Sequence, residues 1–137
     1  MITARYVTVW MLAKKAMWRL RHPALSSEHL FYACLRVNDQ RHWDLCKNLP
    51  VTAQAVWSHL QENPPWAETC EDIYSVPLGA SAKAALERAE ADAAGRQRSE
   101  TGTNALMRAL LAETHGPVRC LLDGAANRDN PDLSKGA

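Results

Sequence analysis

Long hydrophobic runs are missing from this chain of 137 residues, and so is any excess of charge of one sign. The apolar stretch Val7 to Ala13 is followed at once by Lys14 and Lys15, too short for a signal peptide or a membrane span. Lysine and arginine number 16 against 15 aspartates and glutamates, a net charge of +1. Nucleic-acid binders usually carry a basic excess, because phosphate neutralisation dominates their affinity. The densest basic run, Lys14 and Lys15 to Arg19, Arg21 and His22, reads instead as the solvated face and last turn of a helix, where cations oppose the macrodipole. Cys34, Cys46, Cys70 and Cys120 show neither C-x-x-C nor zinc-ribbon spacing. Three of them sit at apolar helical positions, so the expectation is reduced thiols in a cytoplasmic protein. Phosphate loops are absent as well: there is no Gly-x-x-x-x-Gly-Lys-Ser/Thr, and Gly79, Gly95, Gly102, Gly116 and Gly124 stand singly at element boundaries. No cofactor is expected.

What is present is helical periodicity. From Thr3 to Arg21 the residues Tyr6, Trp10, Ala13, Met17 and Leu20 form one apolar stripe. Pro23 ends that helix, because a residue preceding proline is pushed out of the helical region. Ser26 and Ser27 then offer caps, and Glu28 falls in the first turn of a second helix reaching about Val37, with Leu30, Phe31, Cys34 and Leu35 inward. Shorter helices are predicted over His42 to Asn48 and, capped by Thr52, to Gln61. Residues 63–78 hold three prolines and no helical period, and read as a linker anchored by Trp66, Ile73 or Tyr74. Beyond it, Ser81 is read as the cap of a helix from Ala82 to about Gly95, with Ala82, Leu86, Ala89 and Ala93 inward. Asn104 to Glu113 buries Leu106, Met107, Leu110 and Leu111, and Val118 to Leu122 gives a last short helix. Residues 128–137 read as a flexible tail.

A repeat runs through this pattern. Adding 76 to a residue number in the first half gives its counterpart in the second without a gap. Tyr6 meets Ala82, Trp10 meets Leu86, Ala13 meets Ala89 and Met17 meets Ala93. Ser27 likewise meets Thr103, and Leu30, Cys34, Leu35 and Leu45 meet Leu106, Leu110, Leu111 and Leu121. Two units, each too small to bury its own apolar face, should pack as one pseudo-twofold domain. The expected architecture is all-α: two four-helix repeats, about 3–62 and 79–127, within a domain spanning 1–127, the last helix weak or absent.

This arrangement resembles the N-terminal (Clp repeat) domain of the Clp unfoldases over nearly the whole chain. Its sharpest element is Ser26-Ser27-Glu28-His29-Leu30, similar to that family's small-Thr-Glu-His-Leu signature. The second copy, Thr101-Gly102-Thr103-Asn104-Ala105-Leu106, and the Arg21-His22 pair are most similar to the ClpA branch. The family domain normally ends in a further helix, where this chain has Pro131 and Gly136. The resemblance implies a protein-interaction module that docks a ClpS-like adaptor, or substrates, for a Clp unfoldase–protease. It implies a docking role for Glu28, with Arg21, His22 and His29 as neighbouring polar contacts, while the family's second acidic contact falls here on Pro23. In the ClpC-like branch the signature glutamate and a threonine opening the first helix receive phosphoarginine; Thr3 and Glu28 match those two residues, Gly79 and Asn104 their counterparts.

No enzyme is expected. Glu28 and His29 lack the partner and cleft that acid–base catalysis needs, and three or four ligands for a metal are not evident, although His22, Glu28 and His29 can approach one another across the interhelical turn. A thiolate at Cys34 or Cys46 would be disfavoured by desolvation. The isolated domain is expected to be a monomer that binds protein, without nucleic acid or membrane. Two alternatives stand beside adaptor docking: a free-standing regulator of the Clp protease, and a helix-binding module of a secretion or toxin-associated assembly. An exposed acidic edge around Glu28 would favour docking of the adaptor; an apolar groove with Trp18 or Trp43 would favour a partner helix.

Overall fold

Thr3 shows how the chain begins its helices. Its backbone is extended, and its Oγ1 accepts a hydrogen bond from the Tyr6 N–H at 3.2 Å, satisfying one of the donors a helix start leaves open. From there α1 runs over Ala4–Arg19. In this computed structural model, which describes residues 3–38, 43, 45, 48–62, 69–73, 76–97, 101–113 and 117–129, it is followed by α2 (Ser27–Val37) and α3 (Ala53–Glu62). A short antiparallel hairpin, β1 (Thr69–Ile73) and β2 (Val76–Gly79), leads to α4 (Ala80–Gly95), α5 (Thr103–Leu111) and α6 (Pro117–Asp129). The fold class is all-α, as the periodicity predicts.

The repeat is visible in the backbone itself. α1 and α4 are both 16 residues long and start 76 positions apart. Their N-caps, Thr3 and Gly79, have φ, ψ of −73°, 160° and −76°, 160°. The N-caps of α2 and α5, Ser26 and Gly102, match as closely, at −108°, 172° and −112°, 179°. Among the described residues the two non-glycine positions of positive φ are Arg21 at 58° and Gln97 at 57°, again 76 apart. Each half also borrows from the other: the Thr3 N–H donates to the Thr101 carbonyl at 3.1 Å, and the equivalent Gly79 N–H donates to the Leu25 carbonyl at 2.8 Å.

One continuous core joins the halves. Phe31, Leu30 and Met17 of the first meet Leu106, Met107 and Leu110 of the second, all sealed from solvent. Leu25 and Leu78, linked by an isolated parallel bridge, are fully buried where the hairpin meets α2.

Several expectations are corrected. The buried stripe of α1 is Tyr6, Val9, Ala13, Ala16 and Met17; Trp10 and Leu20 are only partly covered. In α4, Ala85 takes the inward position expected of Leu86, and in α5 Leu111 is likewise only partly buried. Small residues win these places because α4 and α5 pack closely. Ser81 does not cap α4. It lies inside the first turn, where its Oγ accepts the Ser27 N–H at 3.0 Å, and Gly79 is the cap. The predicted linker contains the hairpin, with Pro77 tolerated in β2 because it offers its carbonyl to the Leu25 N–H at 2.8 Å. α6 continues past Leu122 to Asp129. Cys34 is buried and Cys120 exposed. Most of the predicted His42–Asn48 helix, the anchors Trp66 and Tyr74, and the tail after Asp129 lie outside the described residues.

Candidate functional site

The signature turn between α1 and α2 is built from the inside. Arg21, in its left-handed conformation, turns the chain so that the His22 N–H reaches back to the Met17 carbonyl at 3.0 Å and the ring faces inward. His29 occupies the third position of α2, where its Nδ1 accepts the Ser26 backbone N–H at 2.9 Å, with Ser26 Oγ 3.1 Å from the same atom. This is the reciprocal half of a capping box with imidazole in the usual place of glutamate or glutamine. Because Nδ1 accepts, the ring proton sits on Nε2 and is donated to His22 Nδ1, 2.8 Å away. His22 in turn hydrogen-bonds the Leu60 backbone in α3.

The two rings therefore form a neutral relay that ties three helices together. Burial is the main force holding both imidazoles in the uncharged form: His29 is pushed down to about 3, with the neighbouring His22 adding to the effect, and His22 is lowered by desolvation against the Leu60 bond. The sequence places His22 and His29 within reach of one another, and the structure does bring them together.

Glu28 lies beside this relay but points elsewhere. It is only 5% exposed, and His59 Nε2 of α3 stands 2.9 Å from its Oε2, at ion-pair distance but out of line for a hydrogen bond. Burial, and then the nearby Glu113, push its carboxyl up to about 7. Glu113 is raised by burial too, but the nearby Ser27 hydroxyl and a hydrogen bond from the Val118 N–H at 3.3 Å work against that rise.

A carboxyl raised in the folded state binds its proton there more tightly than in the unfolded chain, so stability is lost as pH rises from the unfolded value through the folded one. Between pH 4.5 and about 7 the Glu28 contribution should fall by on the order of 2–3 kcal/mol. We expect Glu28→Gln to flatten this slope, so that urea denaturation at pH 5 and pH 8 shows the wild type losing ground to the variant at the higher pH. Parallel curves would mean that Glu28 is ionised throughout.

Thr3 and Glu28 are not brought together. Thr3 stands on the other half's signature turn, its methyl 3.5 Å from where a Gly102 Cβ would be, in a pocket of about 640 Å³ with Arg5, Asn38, Trp43 and Asn104. There Trp43 donates to Asn104 Oδ1 at 2.7 Å and Arg5 to Asn38 Oδ1 at 3.1 Å. The pseudo-twofold exchange pairs Thr3 with Asn104, and Glu28 with the Gly79 side, so neither turn joins a threonine from the start of a long helix to a signature carboxylate.

The surface adds two apolar residues, Val7 and Met11, to the Trp18 that the sequence already offered. Val7, Met11 and Trp18 are exposed by 40%, 52% and 55%, and all three stand on the outward side of α1. Beside them, α1, α2 and α3 enclose a groove of about 540 Å³ whose aromatic side chains are Trp18, Tyr32 and Trp57. The signal was available: Val7, Met11 and Trp18 fall at helical spacing opposite the buried stripe. Glu28 itself is buried and forms no exposed edge, whereas both Trp18 and Trp43 line grooves. Among the described residues no group of three or more metal-ligating side chains gathers, and no helix is long and apolar enough to cross a membrane.

Residues 1–125 match the Clp repeat (R) N-terminal domain, and the chain belongs to that family. Among solved structures it is similar to the N-terminal domain of the caseinolytic protease associated chaperone ClpD from Arabidopsis thaliana. That likeness has 18% identity and a TM-score of 0.65, and covers 93% of both chains. No curated protein matches the chain. Clp N-terminal domains are non-catalytic interaction modules of Clp chaperones.

Proposed function

We propose that this domain docks an adaptor of the ClpS type, or substrates, for a Clp unfoldase–protease, and that α1 presents the contact surface. The observation that carries this reading is the placement of Val7, Met11 and Trp18 together on the uncovered side of one helix. Large apolar groups clustered on a surface mark interaction sites more often than single exposed ones do. Of the polar residues named above, Arg21 is exposed just beyond the end of the same helix and meets the partner directly. His22, His29 and Glu28 act from beneath by holding the α1–α2 turn, and Thr3 holds the start of α1. Similarity to the ClpA branch at Arg21-His22 and at the second signature supports an adaptor as the first partner to try. The groove between α1, α2 and α3 also gives some support to a module that seats a partner helix.

Calorimetry against the ClpS-type adaptor of the same organism tests the assignment. Met11→Asp, at an exposed position, should weaken binding by about tenfold or more, a loss of about 1.4 kcal/mol. Glu28→Gln should change it little. The reverse pattern would move the contact to the signature carboxylate, and a wild type that does not bind at all would remove the adaptor and leave substrate docking.

A further inference from the structure

We infer that the groove between α1, α2 and α3 is a binding site for an acidic protein segment, one that offers carboxylates on both sides of an aromatic or aliphatic anchor. The inference rests on the docking reading above and gives it a surface and a partner chemistry. The floor is aromatic: Tyr32 of α2 and Trp57 of α3 lie 5.2 Å apart between centroids, tilted by 44°, and Leu12, Ala16 and Trp18 form the α1 wall. The charged lining is of one sign. Lys15 and Arg19 stand on one side and Arg36 on the other, all exposed, and among the described residues no carboxylate lines the groove. Among the described residues none of the three has an ion-pair partner; Arg19 lies over the Trp57 ring at 6.0 Å, and Lys14 over Trp18 at 5.1 Å.

The second repeat serves as an internal control. Its counterparts of Leu12, Lys15, Ala16, Trp18, Tyr32 and Arg36 are Arg88, Ala91, Asp92, Ala94, Arg108 and Ala112. There the surface neutralises itself: Arg108 reaches Asp92 Oδ2 from Nη2 at 2.7 Å and from Nε at 3.1 Å, and Arg96 meets Oδ1 at 3.3 Å. The same backbone thus folds with a salt-bridged and alanine-rich surface at these positions. Nothing in the scaffold requires aromatics and unpaired cations at the first copy, in a protein whose overall charge is only +1.

Unpaired cations around an apolar floor attract carboxylates, and the arginines can hold them through charge-assisted hydrogen bonds. The concave shape suits inserted side chains better than a flat bilayer. The tilted ring pair, backed by helix packing, does not present successive parallel faces for stacked bases.

The test uses the whole chain and fluorescence anisotropy with a short dye-labelled peptide carrying glutamates around a Leu-Trp pair, against a twin with every Glu replaced by Gln. The acidic peptide should bind, its twin at least about tenfold more weakly, and binding should weaken further as salt shortens the Debye length from about 10 Å toward 3 Å. The double variant Arg19→Glu/Arg36→Glu should lose about tenfold or more, while Arg88→Glu in the second repeat should bind as wild type does. Equal binding of the two peptides, or an unchanged double variant with the wild-type helical spectrum, would overturn the inference, as would preference for oligothymidylate or for phosphatidylserine vesicles. If the double variant does not fold, the peptide pair and the salt dependence on wild type still decide. Failure of the acidic peptide alongside retained adaptor binding would reject the groove and keep the docking module; failure of both would reject the two together.

Discussion

Phe31→Ala should cost about 3–5 kcal/mol of folding stability, whereas Phe31→Met should cost about 1.5 kcal/mol or less. The difference comes from what surrounds the ring. Phe31 is wholly buried in α2, at the centre of a core to which both halves contribute, so truncation leaves a void that packed helices cannot collapse into. Methionine keeps most of the volume and bends to fit. Its suitability is already demonstrated within this chain, because the counterpart of Phe31 in the second repeat is Met107, equally buried. Urea denaturation of both variants measures the effect. A cost for alanine near 1 kcal/mol would mean that α2 shifts inward to close the gap.

His29→Ala should be nearly as damaging, at about 2–4 kcal/mol, for reasons of a different kind. The substitution removes a fully buried ring, deprives the Ser26 N–H of its acceptor, and leaves His22 Nδ1 without the proton it receives. His29→Gln should recover part of the loss, because an amide oxygen at the third helical position can again accept from Ser26. It should not restore the reach to His22. Proton NMR of the His22 ring separates the two roles. With the pocket opened in His29→Ala, its affinity for protons should climb from the lowered value toward the ordinary one near 6.5. A ring that stays neutral at low pH in that variant would show that local burial alone holds it so, against the pull of the Leu60 bond.

Much of the architecture was legible because the sequence states it twice. The offset of 76 residues predicts which helices correspond, and the matched caps at Thr3 and Gly79 and at Ser26 and Gly102 have matched dihedrals. Periodicity was less informative about which side chain of a stripe lies deepest. Spacing placed Trp10 on the stripe, yet it is Val9, one position earlier, that is fully buried. The hairpin was hidden by Pro77, which reads as a breaker until its carbonyl is seen to be the only group that the Leu25 pairing asks of it. At the site, the proximity of His22 and His29 follows from the turn between them. The inward course of Glu28 does not, because a carboxylate in a first turn is ordinarily solvated and only the approach of α3 and Glu113 covers it. An apolar groove at Trp18 was among the expectations, but its floor was not, because Trp57 belongs to α3, whose docking against α2 no local pattern announces.

The reciprocal backbone bonds, Thr3 to Thr101 and Gly79 to Leu25, have a kinetic consequence. Each half lends its signature turn to secure the first residue of a long helix in the other, across separations that span much of the chain. Neither of these bonds can form before the two halves have met, so this part of the domain should assemble late, with the slow search that non-local pairing imposes. The same interlock protects the finished domain: a protease waiting for one half to open must wait for both.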